Sequence, residues 1–460
     1  MLRTLLKPLL LLWFAMPLAA QPQANEVATA QPFTLEACLE YAYQNSEQIQ
    51  IAELEQAIAK ADIGVTKAQG LPQLNGSVSY NNNFAVQTQF LPAVFFAEDP
   101  NNVDPDAPPI PVRFGVKHTG TASVSASQMI FDGSYFVGLR AARTYSELAQ
   151  KSFQQSRIQI AEQVTKAYYT ALVNQERQQL VASNYNRLDT LLRETRLMYE
   201  NGFVEKIDVD RLSVQYNNAK TERKNTERLA ELSYLLLKFQ MGMPIEEEID
   251  LSDQIEDIDF DPEIKAEAEF SYDKRPEYAE LLVNQELTQL DMKNNQVQYL
   301  PKLTANAALG YNTGVNTFNE VTNFNEQWFE YGYWGVSLEI PIFDGLRKHH
   351  LIQKNKVQAR QLELQSHFLR NQIDLEIAQA RTGLENSLDI LEVQRENLTL
   401  AEEVFRVSEI KYQEGVGSNL EVVEADNALT SAETNYYNAL YDALIAKVDL
   451  QKALGVLVEK

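Results

Sequence analysis

Cysteine is almost missing. Cys38 stands alone among 460 residues, so no internal disulfide can form, and a single thiol on a helical stretch reads as a small apolar residue. Histidine is scarce too, with only His118, His349, His350 and His367. The adjacent pair cannot share one helix face, which argues against a joint metal site. No phosphate loop, zinc-spaced cluster or nucleophile elbow is present. No catalytic residue, metal ligand or cofactor is therefore assigned, and an enzyme is not expected. Basic residues number 40 against 64 acidic, a formal net charge of −24; such a chain repels nucleic acid. Past residue 20 no apolar run reaches the roughly 18 residues that a membrane helix needs.

What is present is organised around one long stretch, Gly345 to Gly415. It has no proline and one interior glycine, Gly383, and is rich in Leu, Glu, Gln, Ala and Arg, all good helix formers. About seventy residues would span roughly 100 Å as one helix. A compact domain has no use for that length, so the helix is a strut, a coiled coil or a tube wall. The stretch occurs twice. Phe343-Asp344-Gly345 opens it and Tyr412-Gln413-Glu414-Gly415 closes it; Phe131-Asp132-Gly133 and Tyr199-Glu200-Asn201-Gly202 do the same earlier. In the first copy Leu139, Ala142, Ser146, Ala149, Phe153, Ser156 and Ile160 recur in steps of three and four, a coiled-coil seam built mostly of small residues.

Taken in order, residues 1–20 read as a secretory signal, with Arg3 and Lys7 before the apolar Leu9–Trp13 and a small-residue cleavage site. Residues 21–33 form a flexible leader. The first repeat, 34–242, starts with a helix capped by Thr34 and running to about Gly70, where Leu71-Pro72 ends it. Strict two-residue alternation then predicts strands over Leu74–Tyr80 and Phe114–Ile130. Leu91–Val112, with six prolines, reads as a long hairpin loop. The long helix follows, then a helix from about Ile207 to Met241. Residues 243–272, rich in acid, read as a solvated connector. The second repeat, 273–455, has the same order: a helix to about Tyr299, strands over Lys302–Tyr311 and Gly332–Ile342, the long helix, and a helix to about Ala453 closed by Gly455. Residues 456–460 are a tail. The helices before the strands and after the turns are each read as about 36 residues, so two stacked end to end match one long helix at roughly 100 Å.

Each half thus holds two strands with one apolar and one polar face. Tyr80, Phe114, Tyr311 and Trp334 lie near the expected strand ends, as membrane-interface aromatics of a transmembrane barrel do. A soluble sheet packed on a helix would alternate equally well. Four strands cannot close a barrel, and open edges cannot sit in lipid. Two chains would give eight strands and a filled interior; three would give twelve and a pore. The expected fold is therefore mainly helical with transmembrane β: long coiled-coil helices forming the wall of a cylinder, an internal two-fold repeat, and a β-barrel shared by a trimer or a larger ring.

At this point the chain resembles the TolC-type outer-membrane efflux family. The carrying residues are Leu71-Pro72 and Leu300-Pro301 before strands, the two Phe-Asp-Gly motifs after them, Tyr199-x-x-Gly202 and Tyr412-x-x-Gly415 at the turns, and Gly415-Val416-Gly417-Ser418-Asn419-Leu420-Glu421-Val422-Val423-Glu424-Ala425. The resemblance implies a trimer with a long coiled-coil α-barrel and a shared 12-stranded outer-membrane β-barrel, an exit duct whose helical part crosses the periplasm. The implied partners are a periplasmic adaptor (membrane fusion) protein and an inner-membrane RND or ABC transporter, in drug efflux or type I secretion. It also implies a gate at the narrow mouth, with Glu421 and Glu424 in the second half and Asp208 and Arg211 at the equivalent places in the first. Arg211 breaks the acidic pattern and is available to pair with an acid across the mouth. The same acids also read as ordinary helix-start residues favoured by the dipole. The tips Gly202, Gly415, Val416 and Gly417 are where the family docks its adaptor; as glycines, the first two suit left-handed turns. The competing reading is a barrel-anchored coiled-coil structural or adhesive protein, though such proteins keep their membrane strands in one block at a chain end.

Overall fold

A computed structural model describes residues 33–96, 104, 106–253, 255 and 270–458. The expected signal segment, nearly all of the leader and half of the acidic connector lie outside the described residues.

The chain opens with α1 (Leu35–Asn45) and α2 (Glu47–Ala68). Thr34 Oγ1 accepts from Ala37 N at 3.2 Å and fixes the start. The single helix expected here is broken: Ser46 is extended at ψ 126°. The cause is tertiary. The left-handed turn at Gly242, φ +71°, passes so close that a Cβ there would lie 2.8 Å from Ser46 Cα. Strands β1 (Gln73–Asn82), β2 (Thr88–Leu91), β3 (Ile110–Arg113) and β4 (His118–Phe131) follow. The proline-rich segment is not all loop, because β2 and β3 pair, with Phe90 opposite Pro111. A two-stranded ribbon has no inner strand, so proline is tolerated there.

Helix α3 (Gly133–Glu200, 68 residues) and α4 (Lys206–Met241, 36 residues) complete the first half. The second half contains α5 (Pro276–Val297), β5 (Lys302–Val315), the single turn α6 (Phe318–Val321), β6 (Phe329–Glu339), α7 (Arg347–Gln413, 67 residues) and α8 (Asn419–Leu454, 36 residues). The expected 36-residue length holds for α4 and α8 but not for α5, which has 22 residues. The Phe-Asp-Gly motifs act as helix starts. Asp132 accepts from Ser134 N at 2.8 Å and Asp344 from Lys348 N at 3.1 Å. Gly345 and Leu346 are both left-handed, and Leu346 is the one described non-glycine residue with positive φ.

Helix α3 packs on α4, and α7 on α8, below the strands; above, α3 meets α2 and α5. The seam residues Leu139, Ala142, Ser146, Ala149, Phe153 and Ser156 are half-buried and Ile160 is buried. The largest apolar cluster joins α1, the middle of α3, the end of α4 and α8 around Tyr168, Leu237, Met241 and Leu444. It includes Leu251, so the described start of the connector is anchored rather than merely solvated. Asp253 accepts from Leu35 N at 3.1 Å and from Tyr168 Oη at 2.7 Å. Cys38 is a buried member of this cluster.

Candidate functional site

The sheet is four-stranded and antiparallel in the order β1-β4-β5-β6. Its register decides what the strands can do. Leu74 lies opposite Ala126, Ala126 opposite Ala307, and Ala307 opposite Trp334. The next rows run Gly76, Val124, Leu309, Gly332 and then Val78, Ala122, Tyr311, Glu330. The apolar face of every strand therefore falls on one side of the sheet. Among the described residues nothing covers that side: Val78 is 83% and Trp334 84% exposed. The opposite face carries Asn75, Ser77, Ser79, Thr121, Ser123, Ser125 and Asn312, with Ser77 and Ser123 hydroxyls 3.0 Å apart. Among the described residues β1 and β6 each leave one edge without a strand partner.

The four aromatics assigned to membrane interfaces separate. Tyr80 sits near the outer strand ends, where its hydroxyl meets His118 Nδ1 at 2.8 Å and its ring packs edge-on to Phe318. Tyr311, opposite Glu330, is one residue from the end of the β5–β6 pairing. Phe114 is not in a strand: Gly115, φ +139°, turns the backbone, and β4 begins only at His118. Trp334 lies in the middle of β6, because that strand starts at Phe329 rather than Gly332. Sequence reasoning overlooked Phe329, Tyr331 and Tyr333, which fall on the polar face of the edge strand.

At the other end, α3 and α7 stop in matching turns. Gly202 (φ +78°) and Gly415 (φ +73°) are left-handed. Phe203 N donates to Met198 O and Val416 N to Lys411 O, both at 2.9 Å, the bonds of a glycine-terminated helix end. Phe203 and Val416 then project, 80% and 79% exposed. Phe203 was not singled out from the sequence, although it follows Gly202 as Val416 follows Gly415. Gly417 has a packing reason, since a Cβ there would lie 2.9 Å from Lys411 Cβ.

Glu421 and Glu424 share an exposed face of α8, with Val422 and Val423 buried between them. Glu421 N donates to Ser418 Oγ at 3.2 Å. Asp208 accepts from Glu205 N at 3.2 Å, and Arg211 lies 3.6 Å from Asp208 on the same helix. Within the chain Arg211 is thus paired with its own neighbour on α4. Behind the turns Tyr412 packs with Leu188, Leu191, Leu212 and Val422, and its hydroxyl lies 3.3 Å from Thr195 Oγ1. Above them Arg187 on α3 meets Asp426 on α8 at 2.8 Å. Burial raises the Asp426 carboxyl and the guanidinium opposes it. This pair was also missed. Its signal was available: Asp426 and Glu433 occupy helix positions in line with the buried Val422, Leu429 and Leu440.

Among the described residues no group of three or more His, Cys, Asp or Glu is placed to hold a metal ion. The chain thus combines a sheet that has one largely apolar face with long paired helices that end in exposed turns. The model of the outer membrane efflux protein family matches residues 38–237 and 262–456, and the chain belongs to that family. It is similar to the pyoverdine export outer membrane protein OpmQ of Pseudomonas aeruginosa, 24% identical over 92% of this chain and 85% of that one. It is also similar to the alkaline protease secretion protein AprF of the same species, 21% identical over 91% and 83%. The Campylobacter jejuni CmeC outer membrane channel shares the fold, with a TM-score of 0.71 at 15% identity over 95% of this chain and 90% of that one. The protein is an outer-membrane exit duct of the efflux and secretion class, with its helices in the periplasm.

Proposed function

We propose that three copies of this chain close a 12-stranded β-barrel in outer-membrane lipid and a helical tunnel beneath it. Cargo enters that tunnel from an inner-membrane RND or ABC transporter through a periplasmic adaptor. The observation that carries this reading is the sheet, with its largely apolar face and two edges that no described strand pairs. Unpaired backbone groups in hydrocarbon cost several kcal/mol each, so the edges need partners. β1 and β6 run in opposite directions, so β1 of one copy pairs with β6 of the next and keeps the antiparallel alternation. Repeating one such contact closes a ring, and four strands from each of three copies leave a lumen.

The helices support the same assembly. Ile51, Leu54, Ile58 and Val65 on α2, and Val357, Leu364, Phe368 and Leu375 on α7, are all more than half exposed. Their spacings of three, four and seven are those of coiled-coil seams, and no described helix of the same chain covers them. The recurrence of 68 and 67 residues, then 36 and 36, in the two halves supports an internal duplication. In the ring, Glu421 and Glu424, with Asp208 and Arg211, surround the periplasmic mouth. Gly202, Gly415, Val416 and Gly417, joined by Phe203, present the tips to the adaptor.

The deciding measurement is the mass of the detergent-solubilised protein by light scattering, with detergent subtracted. Three chains per particle are expected. A folded monomer would leave the sheet edges open and return the chain to a coiled-coil scaffold.

A further inference from the structure

The seam between α3 and α8 holds more acid than it neutralises. Asp426 and Glu433 lie two turns apart on the buried face of α8, roughly 10 and 20 Å above the start of that helix. Asp426 has a partner: Arg187 Nε donates to its Oδ1 at 3.0 Å. Glu433 is 7% exposed and its Oε2 has no hydrogen-bond partner. It lines a cavity of about 300 Å³ with Asn184, Thr430 and Thr434. The charged groups around it come from every neighbouring helix: Arg177 and Arg187 from α3, Glu222 from α4, Glu402 from α7 and Asp426 from α8 itself. Both guanidinium groups are engaged elsewhere. Arg177 lies 3.6 Å from Glu222, and Arg187 is held between Asp426 and the Phe405 ring, 4.7 Å from its centroid.

We propose that this seam is a proton-sensitive latch: protonated Glu433 lets α8 pack on α3 above the periplasmic turn, and loss of that proton loosens the packing. An ionised carboxylate whose buried oxygen has no hydrogen-bond donor is costly to bury, whereas the neutral acid is tolerated. Burial pushes the Glu433 carboxyl up to about 7; Arg187 opposes the shift, and Asp426 and Glu402 add to it. The sign follows from linkage. The packed seam holds the proton more tightly than an open, hydrated seam in which the acid titrates near its ordinary 4.5. Packing is therefore strongest below pH 4.5, weakens as pH rises, and levels off above about 7.

The test is hydrogen exchange, read by mass spectrometry, on peptides spanning residues 422–440 of the detergent-solubilised full chain between pH 5 and 8. Exchange times are scaled for the intrinsic pH dependence of amide exchange. The wild type is expected to open about ten-fold or more often at pH 8 than at pH 5. Glu433→Gln should keep the low-pH protection throughout. Asp426→Asn should move the midpoint to lower pH, because it removes a like charge and frees Arg187 for Glu433. A wild type without pH dependence overturns the latch, and so does an equal rise in Glu433→Gln. If Glu433→Gln perturbs the helices by circular dichroism, the Asp426→Asn midpoint decides, and an unmoved midpoint overturns the proposal. The seam lies within one chain, so the outcome is independent of how many copies assemble.

Discussion

Arg187 and Asp426 stand 2.8 Å apart, although 239 residues separate them in the chain. The pair ties the α3–α4 helices to the α7–α8 helices just above the turns, and Asp426 is almost wholly buried there. Arg187→Met leaves that carboxylate without its cation. The expected loss is about 3 kcal/mol at neutral pH, read as an earlier urea midpoint of the helical signal. Part of it returns at pH 5, because a buried Asp426 freed of the guanidinium titrates higher and becomes neutral.

The acids at the mouth are expected to act as a charge ring. Glu421→Ala combined with Glu424→Ala should raise single-channel conductance in planar bilayers and weaken cation preference, since both side chains are exposed on one face of α8. Unchanged records would reduce both residues to helix-start acids.

The turns are expected to depend on their glycines for backbone reasons. A Cβ at Gly415 meets nothing within 4 Å, so Gly415→Ala is limited only by its φ of +73°. About 1–2 kcal/mol of local destabilisation is expected, seen as faster amide exchange across residues 411–420. Val416→Asp leaves the backbone alone; it should instead reduce adaptor cross-linking at the tip with exchange unchanged.

The two faces of the sheet should respond oppositely to charge. Leu309→Arg places a cation in the middle of the apolar face, opposite Val124, and should cost about 2–4 kcal/mol. Ser125→Arg, one row away on the polar face, should assemble normally and change conductance instead. Heat-modifiable migration of the folded protein separates the two outcomes.

Much of this was legible from the chain. Strand periodicity named the apolar faces correctly, and antiparallel pairing then had to align them, because a slip of one residue would turn a whole strand over. The helix ends were legible as well, since Gly202, Gly242, Gly415 and Gly455 all adopt the left-handed conformation. What escaped was set by contacts distant in sequence. The break at Ser46 exists because Gly242 passes it, and nothing within 35–68 alone requires it. The start of β4 was misplaced because Gly115 interrupts an otherwise alternating run. Arg187, Asp426 and Glu433 escaped because acids on a mostly polar helix look solvated until the buried stripe beneath them is drawn.

The two raw edges of the sheet carry a consequence for inheritance. If the wall of one duct is finished only by its neighbours, a damaged copy does not fail in isolation. A variant that still offers β1 but has lost β6 would enter rings with sound copies and leave them unsealed. Such an allele would behave as dominant, and a cell carrying both versions would lose most of its ducts rather than half.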